Sequence, residues 1–253
     1  TFKDENIPGS PLHWHWSQQT KRESHFEPQF QGYAFDCITA STTDFVLTDS
    51  VPRGDSGSVQ ETIDYMGRFL KFARSKNPKI RVWYYEGWHC INTGTPKGCD
   101  YDKSAPSRNL TWVPRLEKDH AMWSGIVTKV NANHPAKPGE EKVRLIPTGT
   151  ALAQLAKEID SGKIAGYTNH KQLFDDDIHL NAAGKYFIGL VHYATLFGKS
   201  PAGLPSEVSD RWGRSAWVKK PWEKTVTQQP LPTTVKRMQE IAWQAAQSEP
   251  LAR

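Results

Sequence analysis

Asp176 and His179, three residues apart, are the side chains whose types and spacing best suit chemistry. They lie in the stretch LFDDDIHLN, residues 173–181, which leads directly into an apolar, helix-patterned sequence. A carboxylate that orients a histidine, so that the imidazole takes up and returns a proton, is the acid–base part of a nucleophilic triad. The spacing also fits an Asp-rich turn in which Asn181 caps the next helix and His179 lies on the surface.

A second pair of titratable residues, Glu86 and His89, follows the strand-like sequence 80–85. Ligands of open parallel sheets bind beyond the carboxyl ends of the strands. Both side chains are therefore candidates for binding substrate hydroxyl groups. The alternative is that they pair with each other and brace the loop between Cys90 and Cys99.

The chain contains ten tryptophans, several of them among polar residues. Trp14 and Trp16 alternate with histidines, and Trp88 lies between Glu86 and His89. Aromatic faces beside polar groups suit sugar rings, which makes Trp14 a further substrate-binding candidate. Buried tryptophans with one wet edge produce the same pattern.

His13 and His15 form a His-x-His pair, which holds a metal ion where both side chains share one face of a strand. Together with Glu86 and His89 they would supply the ligands of a metalloenzyme. No cysteine, aspartate or further histidine stands close in sequence to complete such a site. We therefore expect neither a metal nor another cofactor.

The composition is that of a globular chain, with 253 residues, 37% of them hydrophobic and 23% charged. This length supports one large domain with a sizeable core. The net charge is +5, but the lysines and arginines are scattered without a dense basic run, so we expect no nucleic-acid partner. No apolar run approaches the roughly 18 residues of a membrane helix, and we expect no membrane span.

The three cysteines bear on the cellular compartment. Cys90 and Cys99 bracket a turn-rich loop, and a disulfide that closes it would imply an oxidising environment. Cys37 would then be either buried and inert or paired with something outside this sequence. We expect a periplasmic or secreted protein.

Stretches with strand and helix patterns alternate along the chain. Strands are predicted at 45–51, 80–85 and 143–147, and helices at 59–75, 116–133, 151–161, 186–197 and 235–247. This order predicts an α/β fold with a parallel sheet. No linker divides the chain, so residues 1–205 are assigned to one domain and residues 206–253 to a C-terminal extension that packs on it.

Several blocks of the chain resemble the SGNH, or GDSL-like, hydrolase family, most closely bacterial SGNH-like proteins of unassigned function. The matching blocks are IPG at 7–9, the crossover from Asp44 to His89, and FDDDIHLN at 174–181 with GKSPAGL at 198–204. The resemblance covers about residues 6–205. It implies a three-layer, flavodoxin-like parallel sheet with helices on both faces, and ester hydrolysis or acyl transfer through an acyl-enzyme.

The resemblance also assigns roles to individual residues. His179 would be the general base and then the general acid, and Asp176 would orient its imidazole and stabilise the imidazolium. The backbone N–H of Gly9, in the family's glycine turn, would donate to the oxyanion.

The position of the nucleophile departs from the family's pattern. The family's serine precedes its glycine turn, so we expect it upstream of Thr1 or in a segment that takes its place. Within the chain, Ser56 ends the sequence GDS, which spells the family's nucleophile motif. Ser10, beside the glycine turn, is a further alternative.

The predicted function is that of a serine-type esterase that removes acyl groups, most simply acetyl groups, from carbohydrate. Its partner would be an acylated carbohydrate or a small ester. The alternative is a catalytically incomplete, SGNH-like protein that binds carbohydrate without cleaving it.

Overall fold

A computed structural model describes residues 10–17, 38–50, 56–98, 105–209, 213–218 and 229–253. The elements of this part of the chain are α1 (Leu12–Ser17), β1 (Asp44–Leu47), α2 (Ser56–Lys76), β2 (Arg81–Tyr85), α3 (Trp112–Asn133), β3 (Arg144–Ile146), α4 (Thr148–Asp160), α5 (Ala182–Phe197) and α6 (Pro232–Ser248). A 3₁₀ turn at His170–Leu173 precedes α5, and another at Pro250–Ala252 follows α6. The predicted α/β fold with a parallel sheet is confirmed.

The three described strands lie side by side in the order in which they occur in the chain. β1 pairs with β2 and β2 with β3, both in parallel, so that Asp44 lies opposite Arg81 and Trp83 opposite Arg144. Because parallel strands all end at one edge of a sheet, the residues that follow them lie along that edge. Glu86 and Thr148 are among these residues.

Helices cover both faces of this sheet. Val82 and Tyr84 of β2 are buried with apolar residues of α2 and α3, whereas Trp83 is buried with those of α4, α5 and α6. Successive side chains of a strand point to opposite faces, so the two groups of helices pack on opposite sides of β2. This burial explains why the sequence of β2 shows no alternation of apolar and polar residues.

Several helices begin earlier than their apolar pattern predicts. α2 begins at Ser56 instead of residue 59, and α5 begins at Ala182 instead of residue 186. The apolar period locates the buried positions, whereas the first turn of a helix is fixed by its cap. In α5 the cap is Asn181, as one interpretation of the sequence predicts.

Residues 12–17 form the short helix α1, which packs against α2 through Leu12 and Trp16. Side chains two residues apart on a helix point in different directions. The strand geometry that would let His13 and His15 share one face is therefore not the geometry of this segment.

The C-terminal helix α6 belongs to the same apolar core as the sheet. Met238, Ile241 and Ala242 are buried with Leu155 of α4 and Phe187 of α5. The predicted boundary after residue 205 stays a prediction. Among the described helices, none combines the length and the apolar character that crossing a membrane requires.

Candidate active site

The loop between the first 3₁₀ turn and α5 carries Asp176 and His179 and is closed on itself. Phe174 and Leu180 form an antiparallel bridge across its base. The Asp175 N–H donates to the His179 carbonyl at 2.8 Å. These backbone contacts fix the positions of the acid and the imidazole relative to each other.

Asn181 joins this loop to α5. Its side-chain oxygen accepts from the N–H groups of Ala183 and Gly184 at 3.0 and 3.2 Å, which satisfies donors that the helix leaves free at its N-terminus. Its amide group donates to the Gln172 carbonyl at 2.7 Å. A Cβ atom on Gly184 would lie 2.6 Å from the Leu173 carbonyl oxygen, so the helix and the loop touch at backbone distance.

Asp176 receives three hydrogen bonds from the residues that follow it. Its Oδ1 atom accepts from the N–H groups of Ile178 and His179 at 2.9 and 2.7 Å, and its Oδ2 atom lies 2.8 Å from Nδ1 of His179. Partial burial raises the pKa of Asp176, but the backbone hydrogen bonds and the His179 ring outweigh this effect and lower it to about 2. Asp176 is therefore a carboxylate at neutral pH, and Nδ1 of His179 carries the proton.

Exposure distinguishes His179 from another histidine that a carboxylate holds in the same way. Asp160 accepts from the backbone N–H of His170 at 3.0 Å and lies 2.6 Å from its Nδ1 atom. The side chain of His170 is only 15% exposed and stacks on Trp112, whereas that of His179 is 66% exposed. Within the described part of the chain, Nε2 of His179 makes no hydrogen bond, so this ring nitrogen is open to a substrate.

The segment after β2 holds the same loop from outside. The indole N–H of Trp88 donates to the Ile178 carbonyl at 2.8 Å, and the Ile91 N–H donates to the Asp177 carbonyl at 2.8 Å. Trp88 follows the carboxyl end of β2, which places the loop at that edge of the sheet.

Glu86 is buried under the N-terminus of α4. Its carboxylate accepts from the Thr150 N–H at 2.9 Å and the Thr150 hydroxyl at 3.1 Å. Pro147, the residue at the cap position of α4, supplies no side-chain acceptor. Glu86 therefore caps this helix from another segment, and its fully buried side chain offers no surface to a ligand in this structure.

His120 of α3 lies between two buried carboxylates. Its Nδ1 atom is 2.9 Å from Glu86 Oε1, and its Nε2 atom is 3.4 Å from Glu249 Oε2. The hydrogen bond to Glu86 raises the pKa of His120 above its ordinary value, against the opposing effect of burial.

His89 also pairs with α3 and not with Glu86. Its Nε2 atom lies 3.0 Å from Asp119 Oδ2, which also accepts from Arg115 Nε at 3.2 Å. Burial raises the pKa of Asp119, but the hydrogen bond and charge of His89 outweigh it and lower that pKa. The substrate-binding role of Glu86 and His89 stays a prediction, and in the structure the two side chains pair with different residues of α3.

The histidines of α1 have separate partners. His13 pairs with Glu61, and His15 Nε2 lies 2.7 Å from the Ser10 hydroxyl oxygen. Trp14 is partly buried, with its ring edge-on to His15 at a centroid distance of 5.2 Å. Among the described residues, no three His, Cys, Asp or Glu side chains are grouped so that they could hold a metal ion.

Several predicted site residues lie outside the described part of the chain. These are Gly9, Cys37 and Cys99, together with the side chain of Ser56. The oxyanion donor, the nucleophile and the disulfide between Cys90 and Cys99 therefore stay predictions.

Asp119 and His120, the residues of α3 that pair with His89 and Glu86, were not predicted from the sequence. A signal was present, because an adjacent acid and imidazole interrupt the helical sequence between Leu116 and Trp123. No comparable local pattern indicated that the indole N–H of Trp88 donates to the Ile178 carbonyl in the His179 loop.

The arrangement at Asp176 and His179 can move a proton. A neutral imidazole with its Nδ1–H bound to a carboxylate presents the lone pair of Nε2, which is the atom a general base uses.

Neither a protein-family model, nor a curated protein, nor a solved structure matches this chain.

Proposed function

We propose that this chain is a serine-type ester hydrolase of the SGNH kind, with His179 as general base and acid and Asp176 as the residue that orients it. One observation carries the proposal. Asp176 binds both the backbone and Nδ1 of His179, and Nε2 of the same ring is exposed. The loop thus presents one defined tautomer to the outside.

The proposed reaction proceeds through an acyl-enzyme. Nε2 of His179 takes the proton of a serine hydroxyl as its oxygen attacks the ester carbonyl, and Asp176 stabilises the imidazolium that forms. The imidazolium then protonates the leaving alkoxide, which departs as an alcohol. In the second half His179 takes a proton from a water molecule as the water oxygen attacks the acyl-serine. It then gives this proton to the serine oxygen, and the carboxylic acid leaves.

The position of the loop in the fold supports this proposal. Trp88 and Ile91 tie the loop to the segment after β2, at the carboxyl edge of a parallel sheet. Ligands of such sheets bind at this edge. The sequential order of the three strands is compatible with the three-layer, flavodoxin-like architecture that we propose for the whole domain.

The proposed substrate is an acylated carbohydrate, with acetyl as the simplest acyl group. The partly buried tryptophans Trp14 and Trp88 are the aromatic groups that would contact a sugar ring. The Gly9 N–H would stabilise the oxyanion. Ser56 is the proposed nucleophile within the chain, because it ends the sequence GDS, which spells the family's nucleophile motif.

Hydrolysis of aryl acetates and acetylated oligosaccharides tests the function directly. We expect His179→Gln to lower kcat/KM by about a thousandfold or more, because the general base is lost. His170→Gln is the matched control, since it removes a carboxylate-bound histidine of the same geometry that is shielded by Trp112. Equal activity of wild type and His179→Gln would contradict the proposal.

A fluorophosphonate probe identifies the nucleophile in the same experiment. The probe labels an activated serine covalently, and peptide mapping of the labelled chain locates it. We expect labelling to depend on His179 and not on His170.

One observation favours the alternative of a carbohydrate-binding protein. Among the described residues, no serine hydroxyl is hydrogen-bonded to Nε2 of His179, which is the contact a complete triad contains. A pure binder would take up acylated oligosaccharide in a calorimetric titration, show no labelling by the probe and keep its affinity in His179→Gln.

A further inference from the structure

One peptide unit connects Trp88 to the carboxylate of Asp176. The carbonyl of this unit belongs to Ile178 and accepts from the Trp88 indole N–H at 2.8 Å. Its N–H belongs to His179 and donates to Asp176 Oδ1 at 2.7 Å. The other carboxylate oxygen lies 2.8 Å from Nδ1 of His179. The indole, the peptide, the carboxylate and the imidazole therefore form one continuous chain of hydrogen bonds.

The peptide unit at the centre of this series of hydrogen bonds is rigid. A peptide unit is planar, so the direction of its carbonyl also fixes the direction of its N–H. Hydrogen bonds in series polarise one another, so a donor on the carbonyl strengthens the N–H on the far side of the unit. The Trp88 indole thus acts on the Asp176 carboxylate without touching it.

Trp88 is itself held by the end of the sheet. Its ring lies edge-on to Tyr85, the last residue of β2, at a centroid distance of 5.9 Å. Glu86, two residues before it, is fixed by the hydrogen bonds that cap α4. The donor therefore comes from a segment that is anchored both to β2 and to α4.

We infer that Trp88 is a positioning residue, which sets the orientation of the Asp176–His179 pair by holding the peptide unit between Ile178 and His179. The inference rests on the proposed function for its catalytic meaning. Its structural part, that the Trp88 indole N–H sets the hydrogen bonding of the Asp176 carboxylate, is testable without any substrate.

Trp88→Phe removes the N–H and keeps an aromatic ring. Without the donor on its carbonyl, the peptide unit loses one of the contacts that fix its orientation, and its N–H hydrogen bond to Asp176 weakens. We expect the titration of Asp176 to move to higher pH and kcat to fall by roughly tenfold, the order expected for one hydrogen bond, with KM little changed.

Trp217→Phe is the matched control. The Trp217 indole N–H also donates to a backbone carbonyl, that of Ser206, at 3.0 Å, but it holds the C-terminal segment instead of the His179 loop. The measurement is an NMR titration of the Asp176 carboxyl carbon and the His179 ring nitrogens in wild type and both variants, with kcat and KM measured in parallel. We expect shifted titrations in Trp88→Phe only.

The outcomes separate this inference from the proposed function. If His179-dependent hydrolysis is found and Trp88→Phe behaves like Trp217→Phe, the inference fails while the function stands. If no ester is hydrolysed but Trp88→Phe shifts the Asp176 titration, the function fails while the positioning role stands.

A second measurement covers the case in which Trp88→Phe does not fold. At neutral pH the indole ¹⁵N–H signal of Trp88 should differ between wild type and Asp176→Asn, because one peptide unit links the indole to the carboxylate, whereas the signal of Trp217 should not. Identical Trp88 signals in the two proteins would overturn the inference.

Discussion

Glu249, directly after α6, lies 3.4 Å from Nε2 of His120, whose Nδ1 atom is held by Glu86. A single imidazole therefore links the C-terminal segment to the end of β2. Both carboxylates are buried, so the positive charge of the protonated imidazole compensates two negative charges in a poorly solvated place.

This relationship predicts that stability falls as the pH rises. The hydrogen bond to Glu86 raises the pKa of His120 in the folded chain above its ordinary value of about 6.5. The contribution is therefore fully present below about pH 6.5 and is lost as the pH rises through the raised pKa. Urea unfolding between about pH 5.5 and 9 measures this dependence.

His120→Gln should flatten this pH dependence, and Glu249→Gln, which removes one of the two carboxylates, should reduce it in part. His13→Gln is the control, because His13 pairs with Glu61 on the surface of α1 and α2. Identical slopes in wild type and His120→Gln would show that this imidazole is not the group responsible.

Replacing Asp176 should impair the proposed catalysis, because His179 would no longer be held in the tautomer that has its proton on Nδ1. In Asp176→Asn the side-chain amide no longer requires a proton on Nδ1 of His179, so Nε2 ceases to be a reliable base. We expect kcat to fall by up to about 10⁴-fold, with the fold retained. Steady-state kinetics with aryl acetates and circular dichroism of the variant check both parts.

The Asp176 carboxylate also makes the free energy of unfolding depend on pH in the acid range. Its folded pKa, lowered to about 2, lies below the ordinary value near 3.9. The contribution is present above about pH 4 and is lost as the pH falls towards 2. Acid unfolding of wild type should therefore be steeper over this range than that of Asp176→Asn.

The buried cap of α4 predicts a graded effect of substitutions at Glu86. Glu86→Ala leaves the Thr150 N–H without its acceptor and His120 without the carboxylate at its Nδ1 atom, and should lower the free energy of unfolding by about 2–4 kcal/mol. Glu86→Gln keeps an oxygen acceptor and should cost less. Equal losses for the two variants would mean that the charge, and not the cap, sets the cost.

Two glycines of α5 should respond oppositely to the same change. A Cβ atom at Gly184 would lie 2.6 Å from the Leu173 carbonyl, so Gly184→Ala must displace the loop that carries His179. At Gly189 a Cβ would meet no atom within 4 Å, and Gly189→Ala should stabilise the helix by about 0.5–1 kcal/mol. Thermal unfolding and ester hydrolysis of both variants test the pair, and loss of activity is expected for Gly184→Ala alone.

Local sequence was enough to predict the three strands, the five longer helices and the acid–imidazole pair, but not the short helix α1. Asp176 and His179 are three residues apart in one loop, and Asn181 caps the helix that begins at the next residue, so each contact is encoded within a few positions. The alternation of strands and helices was likewise visible, because apolar periodicity is a local property.

Contacts between distant segments could not be predicted in this way. His120 meets Glu86 across 34 residues, and Trp88 meets Ile178 across 90 residues. The sequence placed Glu86 and His89 together because they are neighbours in the chain. The fold separates them, because each finds a partner on α3.

The two carbonyls of the loop at Asp177 and Ile178 are both held by residues that begin the long connection between β2 and α3. Under the proposed function, exchanging or shortening that connection would thus alter proton transfer at His179 while leaving Asp176 and His179 in the chain. Mutation of a segment that lies outside the proposed acid–base pair would then be a route to adjusting the rate of the reaction.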